Sequence, residues 1–153
     1  SSVDRENHAI DIACKIHNKF PIIYATPLTE IISLRFRGQL AENAKVLSFN
    51  NILPEQNHNE IEGFVNTDNN FILIWIQDIE DDKEVIKRIE ITSEILSNRE
   101  NQIFHNQTGE CFLDRLYKSI SFFDWVSFYS SILNKVDPTP VNNILQLKKL
   151  MIK

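Results

Sequence analysis

A doubly wound α/β domain is the fold class this sequence predicts, on three observations. Its best strand candidate, residues 71–76 (Phe-Ile-Leu-Ile-Trp-Ile), is an unbroken apolar run, as expected of a strand buried on both faces of a parallel sheet. The stretches between strand candidates are of helix length and carry apolar residues at helical spacing. Strand and helix candidates alternate along the chain, which places helices on both faces of the sheet. At 153 residues the chain reads as one domain, long enough to bury roughly two thirds of its unfolded surface.

The first helix is expected over about 4–18, where Ala9, Ile12, Ala13 and Ile16 recur at helical spacing. Residues 21–25 (Pro-Ile-Ile-Tyr-Ala) follow as a short strand, apolar and rich in β-branched side chains. Thr26 and Pro27 then supply an N-cap and a first-turn proline. Leu28, Ile31, Ile32, Phe36 and Leu40 stripe the second helix, which should end near Glu42 and Asn43. Residues 46–49 form the second strand. The polar stretch 50–70, with Pro54 and Gly63, should be irregular with one helical turn, and a connection of that length is usually functional.

Residues 71–76 make the central strand. Acidic side chains in 78–82 then open a helix at the end where its dipole favours them. Val85, Ile86, Ile89 and Leu96 give that helix its buried stripe to about residue 98. A brief strand at 102–105 and a polar turn at 106–109 lead into a long amphipathic helix with Phe112, Leu113, Leu116, Ile120, Phe123, Val126 and Ile132. Residues 137–140 (Asp-Pro-Thr-Pro) break it, and Thr139-Pro140 repeats the N-cap-plus-proline signal. The last helix carries Val141, Ile144, Leu147 and Met151 on one side. Ligands in such sheets bind beyond the carboxyl ends of the strands, where strand order reverses, so the 50–70 loop is expected there.

Composition removes several functions. A net charge of −5 and a pI near 5.4 give no basic face for nucleic acid or an anionic membrane. No apolar run reaches spanning length, and the polar, acidic N-terminus is unlike a signal peptide. Cys14 and Cys111 are isolated, which fits a reducing cytoplasm. The three glycines, Gly38, Gly63 and Gly109, make neither a phosphate loop nor a dinucleotide fingerprint, so no cofactor is expected. His58-x-Glu60 lacks the downstream Pro-Cys-x-x-Cys of a zinc deaminase, and His8, His17 and His105 show no ligand spacing, so no metal is expected either. The aromatic segment 122–129 reads as core or subunit interface, and Lys148, Lys149 and Lys153 as a solvated basic helix end.

The stretch 39–60 is where chemistry concentrates. Glu42 falls at the negative end of the second helix, a setting that suits a proton acceptor more than a permanent anion. The competing reading is an exposed helix-end carboxylate. Gln39, Asn43 and Lys45 beside it are groups that can orient a polyol. His58 lies between two asparagines and two residues before Glu60. An imidazole with such neighbours can transfer protons near neutral pH; the alternative is a surface loop histidine.

Five segments carry a resemblance. They are Pro-Ile-Ile-Tyr-Ala at 21–25, Arg-Phe-Arg-x-Gln-Leu-x-Glu-Asn-Ala-Lys at 35–45, Pro-Glu-x-Asn-His-Asn-Glu-Ile-x-Gly at 54–63, Asp-Trp-Val-Ser at 124–127 and Val-Asp-Pro-Thr-Pro-Val at 136–141. In order and spacing they resemble the C-terminal sugar isomerase (SIS) domain of bifunctional phosphoglucose/phosphomannose isomerases. The resemblance implies a flavodoxin-like, three-layer α/β/α sandwich with a mostly parallel sheet. It implies a hexose 6-phosphate substrate, glucose or mannose 6-phosphate being interconverted with fructose 6-phosphate through an enediol. It makes Glu42 the base between C1 and C2, and His58 the ring-opening group, reaching the site from the partner subunit of a homodimer. Ile-Leu-Gln-Leu-Lys at 144–148 matches a family block whose lysine lies near the sugar, which points to Lys148. Arg35, Gln39, Asn43 and Asn59 are the substrate-binding candidates of the same blocks.

A carboxylate, an imidazole and an ammonium suffice for this chemistry without metal or cofactor. Two departures stand out. Phe122-Phe123-Asp124-Trp125 replaces the family's Leu-Gly-Asp-Trp, putting a bulky side chain where glycine stood. The family enzyme also has an N-terminal SIS domain with a serine-rich phosphate loop and an arginine at the enediolate, neither of which is in these residues. The isolated domain is therefore expected to bind hexose phosphate poorly and to turn over little. The alternative is a non-catalytic SIS module that binds a sugar phosphate or mediates dimerisation.

Overall fold

Among the described residues four parallel strands form, the third of them the expected apolar run. In the computed structural model, which describes residues 2–66, 70–96 and 101–152, these are β1 (Phe20–Ala25), β2 (Phe49–Ile52), β3 (Phe71–Gln77) and β4 (Gln102–Asn106). Their order is β2-β1-β3-β4, with Ile22 opposite Phe49, Tyr24 opposite Trp75 and Trp75 opposite Phe104. Among the described residues six helices complete the fold: α1 (Ser2–Ile16), α2 (Glu30–Asn43), α3 (Gln56–Gly63), α4 (Lys83–Ile95), α5 (Phe112–Leu133) and α6 (Asn142–Met151).

Side-chain alternation along β3 divides the interior in two. Ile72, Ile74 and Ile76 face a core built with Ala9, Ile12, Ala13 and Ile16 of α1, Ile32, Phe36 and Leu40 of α2, and Phe122, Phe123 and Val126 of α5. Leu73 and Trp75 face the other way, with Tyr24, Leu53 and Ile89 of α4. The result is the three-layer α/β/α sandwich, with the fully buried Trp75 at its centre. The indole N–H of Trp75 donates to Gln102 Oε1 at 2.8 Å, so the buried ring has a partner for its polar end.

Several expected boundaries move, each for a local reason. The second strand begins at Phe49, where 46–49 was expected to supply it. Lys45 sits at φ 58° and the Val46 N–H closes back on Leu40 O at 3.0 Å, so the chain is still leaving α2 at residue 46. The strand instead takes in polar Asn50 and Asn51, which an edge position permits: Asn50 donates to Ser33 Oγ at 3.2 Å, and Asn51 to Glu60. Residues 50–70 are correspondingly less irregular than expected. They hold the end of β2, all of α3 and a short 3₁₀ turn at Phe64–Asn66, with 67–69 outside the described residues.

Neither Thr-Pro pair caps its helix. α2 starts at Glu30, after a turn in which Thr29 Oγ accepts the Thr26 N–H at 2.9 Å and donates to Ile76 O at 2.8 Å. That turn stitches the end of β1 to the end of β3 before the helix begins. α6 starts at Asn142, and the Thr139 N–H is taken by Asp137 Oδ1 at 2.9 Å. At α4 the cap is Asp82, which accepts the Glu84 N–H at 2.7 Å; the helix closes at Ile95, and 97–100 lie outside the described residues. Leu113 and Ile132, named among the apolar positions of α5, are exposed, and so is every residue of α6, including Ile144, Leu147 and Met151.

Candidate active site

Strand order reverses between β1 and β3, so the fold's usual ligand crevice opens where Thr26 and Asp78 leave those strands. Here that place is filled by protein. Arg115 of α5, 1% exposed, donates to Asp78 at 2.8 and 2.9 Å and pairs with Glu80 at 2.9 Å. The hydrogen bond to Asp78 is the largest influence on the guanidinium, which is held well above its usual range. Asp78, expected to serve the α4 dipole, therefore belongs to this buried pair. The 50–70 connection leaves the edge strand β2 instead of the crevice.

Glu42 stands at the carboxyl end of α2, exposed, on the wall of a cleft of about 420 Å³. Ala41, Lys45 and residues 140–144 line the rest of it. The end of α2 is locked there by several contacts. The Lys45 ammonium donates to the main-chain oxygens of Glu42 and Pro140, and Asn134 Nδ2 donates to Ala44 O at 3.1 Å. Next to Glu42, the Asn43 amide donates to Gln39 Oε1, one turn back, and to Ser127 Oγ, both at 2.9 Å. Arg35 grips Asp124 with two hydrogen bonds of 3.0 and 2.7 Å, which hold the guanidinium above its usual range. Of the substrate-binding candidates, Arg35, Gln39 and Asn43 thus all line up along α2, and two of them join it to α5.

His58 is elsewhere. It is exposed on the first turns of α3, a helix that belongs to the α4 side of the sheet. Three side chains hold α3 down. The Glu60 carboxylate accepts from Tyr24 Oη at 3.0 Å and from Asn51, and Asn57 Nδ2 donates to Thr92 Oγ1 at 2.7 Å. Burial, and then the Glu60 charge, push the Tyr24 phenol up from its ordinary value. Asn59 is exposed beside His58. Lys148 is exposed on α6, one helical turn beyond Ile144 at the cleft. Within one chain, then, Glu42 meets Lys45 and the start of α6, while His58 projects from the opposite face.

Sequence reasoning passed over Glu60, Tyr24 and Arg115 as contributors. Glu60 had a signal, since it belongs to the Asn-His-Asn-Glu block. Nothing in the spacing of Asp78 and Arg115 announces that pair. Among the described residues no three His, Cys, Asp or Glu side chains are grouped to hold a metal ion, and no helix is long and apolar enough to cross a membrane.

The family model of the bacterial phospho-glucose isomerase C-terminal SIS domain matches residues 5–151. A bifunctional phosphoglucose/phosphomannose isomerase of Aquifex aeolicus is 35% identical over 146 residues, covering 94% of this chain and 46% of that protein. Its counterpart in Caldicellulosiruptor bescii is 35% identical over 152 residues, covering 95% and 44%. The chain therefore spans about half the length of the curated relatives it matches. A glucose-6-phosphate isomerase-like protein from Thermus thermophilus shares the fold, with a TM-score of 0.66 and 21% identity over 92% of this chain and 46% of that one.

Proposed function

Because the chain belongs to the family of bacterial phosphoglucose isomerase C-terminal SIS domains, we propose that it supplies the acid/base half of a hexose-phosphate isomerase site. The reaction is the interconversion of glucose 6-phosphate, and of mannose 6-phosphate, with fructose 6-phosphate. Glu42 takes the proton from C2 and returns it to C1 through an enediol. His58, from the partner subunit of a homodimer, carries the O1 proton to the ring oxygen as the ring opens. The Lys148 ammonium offsets the charge that develops on the enediolate oxygen. Gln39 and Asn59 bind sugar hydroxyls, whereas Arg35 and Asn43 reach the sugar by exchanging a protein partner. The phosphate is held by an N-terminal SIS domain outside this chain, and the enzyme works in the cytoplasm without metal or cofactor.

The observation that carries this reading is the cleft at the end of α2, where Glu42 faces the lead-in of α6 beside a lysine. An open carboxylate in one cleft with the start of α6, the helix that carries Lys148, suits a proton shuttle between adjacent carbons. The test is an isomerase assay of the full-length natural protein on glucose 6-phosphate and mannose 6-phosphate, with Glu42→Gln alongside. Removing a positioned general base lowers kcat by about 10² to 10⁴-fold. A variant with near-native turnover takes the base role away from Glu42. Hexose-phosphate binding without turnover in the native protein selects the non-catalytic SIS module instead.

A further inference from the structure

We propose that Lys45 is a positioning residue that pins the start of α6 to the end of α2 and so sets the distance between Lys148 and Glu42. The inference deepens the isomerase reading and rests on it for the roles of Glu42 and Lys148.

The need for a pin follows from α6 itself. Its ten residues are all exposed, so burial of an apolar face, which fixes most helices, does not fix this one. The segment that leads into it, 137–141, crosses the carboxyl end of α2. There the Lys45 ammonium bonds Pro140 O at 2.8 Å and the Glu42 main-chain oxygen, joining residues 95 apart in sequence. Lys45 is also close enough to Asp137 for its charge to help hold that carboxyl below the usual range, after the larger effect of the Thr139 hydrogen bonds. A compact ammonium with three donors can serve two carbonyls at once.

Lys45 is held for this task at a cost. It stands at φ 58°, the left-handed conformation in which a helix commonly ends on glycine. Glycine would relieve that backbone but remove the ammonium. The same cleft collects Glu42, Lys45 and Asn142 to Ile144, so any slack in the pin moves the wall that faces the base. Displacements of this kind act on turnover, because reacting groups lose their alignment.

The experiment compares Lys45→Met, Lys45→Gly and Lys148→Met in the full-length natural protein. Amide hydrogen exchange across residues 144–151 should quicken about tenfold in Lys45→Met, the factor expected when one hydrogen bond from a charged donor is lost. Both Lys45 variants should lose about tenfold or more in kcat with little change in KM. Lys45→Gly should nevertheless be at least as thermostable as Lys45→Met, a split that a purely structural lysine would not give. Adding Lys45→Met to Lys148→Met should cost little further, since the pin acts through α6. Unchanged exchange in α6 overturns the proposal, and so do fully additive losses. If exchange quickens but the native protein does not isomerise hexose phosphates, the pin stands and the isomerase reading falls.

Discussion

Glu42 and His58 are carried on opposite faces of the sheet, and the two helices that carry them are held in opposite ways. α2 buries Ile32, Phe36 and Leu40 in the larger core, so its polar end is a by-product of apolar packing. α3 buries only Gln56 and depends on the hydrogen bonds of Glu60 and Asn57. A helix seated by apolar area tolerates the loss of one polar contact, whereas a helix seated by a few hydrogen bonds does not. The position of Glu42 is thus a property of the fold, and that of His58 a property of three side chains. One chain presents the two groups from different layers, and the proposed site takes one from each of two subunits.

Co-expression of Glu42→Gln and His58→Asn subunits is the severest test of that arrangement. Each variant alone should fall about 10² to 10⁴-fold in kcat. In a shared-site dimer, random pairing leaves one intact site in half of the dimers, so roughly a quarter of native activity returns. A mixture as inactive as either parent places both groups in a single subunit and removes the need for a partner.

Acid should loosen the two faces unequally. His105, at the end of β4, stacks on Phe122 and is hydrogen-bonded to Ser119 Oγ at 3.0 Å. Burial pushes its imidazole down from 6.5 to about 4, with the His8 charge adding to the effect. The folded protein therefore favours the neutral ring. Its contribution to stability is full above pH 6.5 and is lost as the pH falls through about 4. Such a shift corresponds to on the order of 3 kcal/mol. Urea unfolding across that range should show the loss, and His105→Phe should flatten it. Hydrogen exchange should rise first in α1 and α5, which enclose the ring, and later in α3. An equal slope in the variant would assign the acid sensitivity to another group.

Glu60→Ala should strike the other face. It leaves Tyr24 and Asn51 without their acceptor, a loss of about 1 to 3 kcal/mol, or a melting point lower by roughly 2 to 4 °C for each kcal/mol. The same change should depress turnover through His58 while leaving the Glu42 cleft intact. A melting point within a degree of native would mean that α3 is seated by something other than this carboxylate.

What the sequence disclosed follows the same division. The β3 run, the α2 stripe and the alternation of elements are repeated apolar patterns, and the sheet and larger core follow them. β2 escaped because an edge strand can be polar: Asn50 and Asn51 read as loop but pair with Ile23 and Tyr24. α3 escaped because its anchors are single residues with no periodicity. Both Thr-Pro pairs misled because each threonine hydroxyl is engaged beside its own turn, Thr26 Oγ with Thr29 Oγ at 3.1 Å and Thr139 with Asp137. At the site, the helix-end position of Glu42 follows from the α2 stripe; His58 was a candidate from its polar neighbours, and the roles of both come from the resemblance. The pairing of Arg35 with Asp124 spans 89 positions and leaves no local trace.

That pair gives the smallest effect and the finest distinction. Its side chains are 46% and 33% exposed, so water and salt screen the attraction, and such pairs contribute about 0 to 1 kcal/mol. Arg35→Gln should therefore lower stability by less than about 1 kcal/mol in dilute buffer, and by nothing measurable in roughly 1 M salt. With the fold so little disturbed, kinetics can be read directly. If Arg35 leaves Asp124 for the sugar when substrate arrives, KM for the hexose phosphate should rise about fivefold, equivalent to roughly 1 kcal/mol of binding. An unchanged KM, with the small salt-sensitive loss of stability present, would leave Arg35 as a strap between α2 and α5 and pass its place at the sugar to Gln39.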